Sequence, residues 1–212
     1  MGHERKPGLS SDKEKQIIAY HEAGHEVVGN AIAEKKKKKK VTIVGRGQAG
    51  GVTWFRPDED RILHSRKKLL ANLAYGLGGR VAEELIFDDI TSGASGDIEQ
   101  VTRMARTMVT RLGMSSEMGP IMYGQKEELI FLGREISEQR DYSEAVAEKI
   151  DQEVRKLVDD SYKLAKKLLL KYRKELDAVA NKLLEAESLT RDEFEKIFPP
   201  PFPKKSGTPQ IA

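Results

Sequence analysis

His21-Glu22-Ala23-Gly24-His25 reads as H-E-x-x-H inside a run of helical periodicity from about Asp12 to about Glu34. Residues at i and i+4 lie one turn apart on the same helix face, so His21 and His25 can offer two imidazole nitrogens to one ion. Glu22 follows His21 by about 100° around the helix axis, near an open coordination position, where a carboxylate can take a proton from an activated water. The pattern is that of a zinc hydrolase. The competing reading is a solvated helix face carrying two spare histidines. Ile17, Ile18, Ala19, Val27, Val28, Ala31 and Ile32 argue against it, because they give the helix an apolar body in which an ionisable Glu between two His needs partners.

Working outward, the 212 residues with 38% hydrophobic content allow one ordinary core, with room for an appendage but not for a second large domain. Charged residues make up 33%, but 37 Lys and Arg nearly balance 34 Asp and Glu, and the net charge of +3 demands no acidic ligand. Much of the basic excess sits in Lys35 to Lys40, expected to be a solvated connector. A nucleic-acid contact there is disfavoured, because no aromatic residue is interleaved with the charge. With no cysteine, disulfides and Cys-based zinc sites are excluded. No apolar run approaches the roughly 18 residues needed to span a bilayer, so this stretch of chain is expected to be soluble.

The fold class expected is mainly α, with a small antiparallel β element and long C-terminal helices. Residues 1–10 read as a linker from a missing N-terminal module, 11–198 as the folded domain, and 199–212 as a disordered Pro-rich tail. Val41 to Val44 and Val52 to Phe55 are β-branched and aromatic runs flanking the glycine-rich Gly45 to Gly51, which predicts an antiparallel pair. Leu69, Leu73, Leu77, Val81 and Leu85 predict a helix from about Ser65 to Phe87. Its internal Gly76, Gly78 and Gly79 are expected to admit a close backbone neighbour. A polar turn then delivers Asp97 to the start of another helix, which closes at Gly113. After an irregular stretch with a candidate strand at Leu129 to Leu132, an amphipathic stripe runs from near Ser143 to Leu183. As one helix it would be about 60 Å long, so a break is expected near Lys171 to Lys174. Thr190 and Glu193 form a capping-box pattern for a last short helix.

A catalytic zinc takes three protein ligands and keeps one position open, so a third donor is required. His3 lies in the linker and His64 in a charged stretch, which favours a carboxylate. Glu83 or Glu84 would suit a Glu ligand on a later helix, and Asp97 sits at a junction that can aim a short side chain. Spacing alone does not choose among them.

The motifs His21 to His25, Gly78-Gly79-Arg80-Val81-Ala82-Glu83-Glu84, Thr91-Ser92-Gly93-Ala94-Ser95-Gly96-Asp97-Ile98 and Leu112-Gly113-Met114-Ser115 together resemble the peptidase (M41) domain of the FtsH family. That family comprises membrane-anchored, ATP-dependent zinc metalloproteases that degrade unfolded or membrane proteins. The resemblance runs from about Arg5 to Phe198. It implies one Zn2+ per subunit held by His21, His25 and Asp97, Glu22 as catalytic base, and structural roles for Glu83 and Glu84. It also implies that Gly51, Val52, Thr53, Trp54 and Phe55 hold the extended substrate beside the metal. Full-length relatives carry transmembrane segments and an AAA+ ATPase module, which uses ATP, and close into hexamers with the peptidase domain on the cytoplasmic, matrix or stromal side. No nucleic-acid partner is implied. The chain departs from the family at Lys35 to Lys40, where relatives have a mixed connector, and at Gly45-Arg46-Gly47, where they have Pro-Arg-Gly. The alternative functions are a non-catalytic helical interaction module with a structural metal and a basic nucleic-acid-binding module. The first fares poorly, because closed structural zinc sites use four protein ligands, usually with Cys.

Overall fold

The computed structural model describes residues 11–32, 40–43, 63–126, 138–139 and 141–199. The domain is mainly α, as expected. Helix α1 (Asp12–Ile32) is followed by strand β1 (Lys40–Thr42), α2 (Arg66–Phe87), a single 3-10 turn (Ser92–Ala94) and α3 (Ser95–Thr110). Then come β2 (Gln125–Lys126), β3 (Glu138–Gln139), α4 (Glu144–Lys171), α5 (Arg173–Ala186), β4 (Ser188–Thr190) and α6 (Arg191–Ile197).

The centre of the fold is the crossing of α1 and α2, onto which α3, α4 and α5 pack. A side chain at Gly24 would put its Cβ 2.4 Å from the carbonyl oxygen of Gly78, and one at Gly78 would lie 2.7 Å from the carbonyl oxygen of Gly24. The two backbones therefore touch where the glycines face each other, and the propensity cost of glycine in the middle of a helix is offset by this approach. Around the crossing the core is filled by Ala23 and Val27 of α1, Leu73 and Val81 of α2, Met108 of α3 and Ile150 of α4.

Local signals set the helix ends. The Ser65 side chain accepts from the backbone N–H of Lys68 and starts α2, and Ser143 does the same for Val146 at the head of α4. The long C-terminal stripe breaks at Tyr172, which leaves helical geometry (φ −109°, ψ 37°) and packs its ring against Phe198, centroids 4.8 Å apart and planes tilted by 44°. Thr190 and Glu193 make both reciprocal bonds of the capping box on α6.

The described sheet contains a pairing that the sequence did not suggest, while the expected partner run Val52 to Phe55 lies outside the described residues. Within the described residues β1 pairs antiparallel with β4, Val41 opposite Leu189, and so joins the segment after the metal helix to the far end of the domain. Val41 and Leu189 are both buried, which stabilises this register. Strands β2 and β3 form a second short antiparallel pair. Residues 1–10, Lys35 to Lys39, the Gly45 to Gly51 loop, the strand Gly51 to Phe55, Leu129 to Leu132 and the tail from Pro200 lie outside the described residues. Among the described residues no helix is long and apolar enough to cross a membrane.

Candidate metal centre

His21 and His25 lie on the buried face of α1, beside the crossing with α2. Their Nε2 atoms are 3.0 Å apart. Asp97, in the first turn of α3, brings Oδ2 to 3.1 Å from Nε2 of His21 and 3.3 Å from Nε2 of His25. Among the described residues these three form the grouping of His and carboxylate side chains that could hold a metal ion, so the structure brings the two sequence-predicted histidines and the predicted aspartate to one point.

The remaining imidazole nitrogens are both occupied. Nδ1 of His25 lies 2.7 Å from the carbonyl oxygen of Tyr75, which can only accept, so this nitrogen carries the hydrogen and donates it. Nδ1 of His21 donates to Oε1 of Glu83 over the same distance. Both Nε2 atoms thereby face Asp97. A tetrahedral zinc with donors at about 2.0–2.1 Å has neighbouring donors roughly 3.3–3.4 Å apart. The observed triangle falls within a few tenths of an ångström of that, and its two nitrogens and one carboxylate oxygen are a donor set that suits zinc. The residues present fit the ion.

Burial favours the neutral form of His21, but the hydrogen bonds of Asp97 and Glu83, with the nearby charges of Asp97 and Glu22, outweigh it and raise the imidazole from 6.5 to about 9. Burial would raise the carboxyl of Asp97; the hydrogen bonds and charge of the two histidines instead hold it well below the usual carboxylate range. Nε2 of His21 lies 3.1 Å from Oδ2 of Asp97, within hydrogen-bond reach when the ring is protonated.

Glu22 is half-buried in the turn between the histidines, close enough for its charge to act on both His21 and Tyr75. Glu83 and Glu84, the rival third ligands, occupy different places. The Glu84 carboxylate takes a short hydrogen bond from the Tyr162 hydroxyl and one of 3.0 Å from Nζ of Lys166, tying α2 to α4 away from the histidines. Glu83 is 1% exposed and grips two things at once: Oε1 holds His21, and Oε2 accepts from the backbone N–H of Thr91 at 2.8 Å. Thr91 caps the short 3-10 turn that leads into Asp97. One carboxylate thus orients a histidine and anchors the turn that delivers the aspartate. Burial opposes its ionisation, but the bonds from His21 and Thr91 keep it ionised by pulling its carboxyl below the ordinary range.

Sequence reasoning missed the orienting partners Glu83 and Tyr75, and with them the part played by Gly79. The nearest signal was Gly79 and Glu83 standing four apart on α2, one face of one helix turned toward α1. Gly51 to Phe55, expected to hold substrate, lie outside the described residues.

The sequence model of peptidase family M41 matches residues 8–197. The chain is similar to an ATP-dependent zinc metalloprotease FtsH of Chloroflexus aggregans, 53% identical over 199 residues that make up 92% of this chain and 30% of that protein. An ATP-dependent zinc metalloprotease FtsH of Thermotoga maritima is 49% identical over 204 residues, 96% of this chain and 33% of that protein. An ATP-dependent zinc metalloprotease FtsH 1 of Thermomicrobium roseum is 48% identical over 210 residues, 98% of this chain and 32% of that protein. The chain spans about a third of the length of the curated relatives it matches.

Proposed function

This chain belongs to peptidase family M41 and is a metalloprotease domain, and from that premise we propose that His21, His25 and Asp97 hold one zinc ion and that Glu22 is the general base of peptide-bond hydrolysis. The observation that carries the reading is the triangle of donor atoms, 3.0 to 3.3 Å on a side, with both outer imidazole nitrogens already committed to Glu83 and Tyr75. Bound there, zinc would supply Lewis acidity, lowering the pKa of a water towards ~7 and polarising the scissile carbonyl. Glu22 takes the proton of the attacking water on its carboxylate and passes it to the nitrogen of the leaving amine, so that one residue serves first as base and then as acid. No covalent bond between enzyme and substrate is needed. His21 and His25 stay fixed during this transfer, because their Nδ1 protons are held by a carboxylate and a carbonyl that do not take part.

The wider reading follows the relatives. The strand Gly51 to Phe55 holds an extended, unfolded polypeptide by edge pairing. The domain works in a longer, membrane-anchored chain whose AAA+ module consumes ATP, and six copies close into a ring. Light scattering coupled to size exclusion at several concentrations tests the ring, and a strict monomer throughout would refute it for these 212 residues.

The test of the chemistry is metal content together with hydrolysis of an unfolded protein substrate, with and without chelator. Glu22→Gln is expected to retain the metal and lose the hydrolysis, and His21→Ala to lose both. Hydrolysis that survives complete removal of metal would overturn the reading.

A further inference from the structure

Two buried polar side chains beside the metal centre have no part in the chemistry above. Tyr75, 2% exposed, donates its hydroxyl to Oε1 of Glu26 at 3.0 Å, and Glu26, 4% exposed, follows His25 directly on α1. A buried carboxylate is costly to keep in a helical core, so its presence there calls for a reason beyond packing. Tyr75 also touches His25 twice. Its carbonyl oxygen takes the Nδ1 hydrogen at 2.7 Å, and its ring stacks on the imidazole with centroids 5.1 Å apart and planes 29° from parallel.

The two histidines are thus held by different means. His21 is oriented by a side chain, Glu83, whereas His25 is oriented by a main-chain carbonyl on α2, whose aim depends on how residue 75 is seated. The hydroxyl bond to Glu26 pins the far end of the Tyr75 side chain back onto α1, one residue beyond the histidine it serves. This closes a loop from α1 at His25, across to α2 at Tyr75 and back to α1 at Glu26, which fixes the rotation of the imidazole about its own hydrogen bond.

We propose that Tyr75 and Glu26 are positioning residues of the metal centre, acting through His25: the hydroxyl–carboxylate bond holds the Tyr75 ring and carbonyl so that Nε2 of His25 points at the ion. The inference rests on the reading of His21, His25 and Asp97 as the metal ligands. Loss of an outer partner of a ligating histidine typically weakens metal binding 10- to 100-fold. Here the carbonyl survives mutation, so Tyr75→Phe should fall at the lower end, about tenfold.

The experiment titrates Co2+ into the metal-free 212-residue chain and its variants, following both affinity and the visible ligand-field bands. Tyr75→Phe is expected to bind Co2+ about tenfold more weakly with shifted bands at unchanged helix content. Glu26→Gln, which keeps an oxygen to accept the hydroxyl, should stay within about threefold of wild type. Tyr162→Phe removes the equivalent hydroxyl–carboxylate bond to Glu84, away from the centre, and should change neither affinity nor bands. A Tyr75→Phe protein with wild-type affinity and spectrum, even if it melts earlier, would overturn the positioning role while leaving the metal site in place. Equal weakening in Tyr162→Phe would overturn it too, by showing that any lost core hydroxyl has this effect. Failure of His25→Ala to weaken Co2+ binding would instead remove the site assignment on which the inference stands.

Discussion

Gly79 of α2 lies flat against the imidazole of His21: a Cβ on that glycine would stand 2.5 Å from Cε1 and 2.6 Å from Nε2 of the ring. The glycine is what lets the His21 ring fit between α1 and α2. Gly79→Ala must push the ring, or separate the helices at the Gly24–Gly78 contact. Overpacking of this kind costs about 1–3 kcal/mol. We expect a lower thermal midpoint and at least a tenfold loss of zinc affinity, measured by competition with a chromophoric chelator. Unchanged affinity would mean that the ring relaxes freely.

Glu83 and Glu84 are neighbours in sequence with opposite expected outcomes. Glu83→Ala removes the acceptor for Nδ1 of His21 and for the N–H of Thr91 together, so zinc affinity should drop 10- to 100-fold. Glu84→Ala breaks a partly exposed bridge to Tyr162 and Lys166 and should leave affinity within about threefold. Asp97→Ala should weaken zinc at least as much as Glu83→Ala. Metal analysis of the three variants checks this order, and a larger loss in Glu84→Ala than in Asp97→Ala would reverse the assignment of the third ligand.

Proton and metal compete for the same nitrogen. His21 has a folded pKa raised to about 9 from 6.5, so its contribution to the stability of the metal-free chain is full below 6.5 and is lost as pH rises through about 9. Asp97, whose pKa is depressed, contributes above its unfolded value of 3.8 and loses that contribution as pH falls toward the lower folded value. The metal-free chain should therefore melt at a lower temperature at pH 9.5 than at pH 6.5, and the zinc-loaded chain should show a smaller drop. Zinc uptake at pH 7.5 should release about one proton, read by calorimetry in buffers of different ionisation enthalpy. Release of none would mean that His21 is already neutral there.

The C-terminal helix is expected to be separable from the centre. Thr190→Ala deletes one arm of the capping box on α6 and should cost about 0.5–2 kcal/mol in denaturant melts. The nearby bonds of Asn30 to the Phe198 carbonyl and to Arg191 tie α6 to α1, yet they join α1 five residues past His25. Zinc affinity should be unchanged within twofold. A large loss would show that the docking of α6 reaches the metal centre.

What the sequence determined by itself depends on neighbours within a few residues. The one-turn spacing of His21 and His25 follows from the helical repeat, and the capping box of Thr190 and Glu193 follows from side chains that reach only three residues along. The break at Tyr172 was legible because one continuous helix would outrun the domain. The choice among Asp97, Glu83 and Glu84, by contrast, was left open by spacing and was narrowed only by resemblance. The partners here are 76 and 62 residues from His21, and periodicity states which face of a helix is buried without stating what it meets. The same limit hid the β1–β4 pairing, whose reward is the shared burial of Val41 and Leu189 across the length of the domain. Only the packed structure decided that Glu83 serves the histidine and Gly79 makes room for it. A close-packed core fixes such contacts by shape, and shape is a property of elements already assembled.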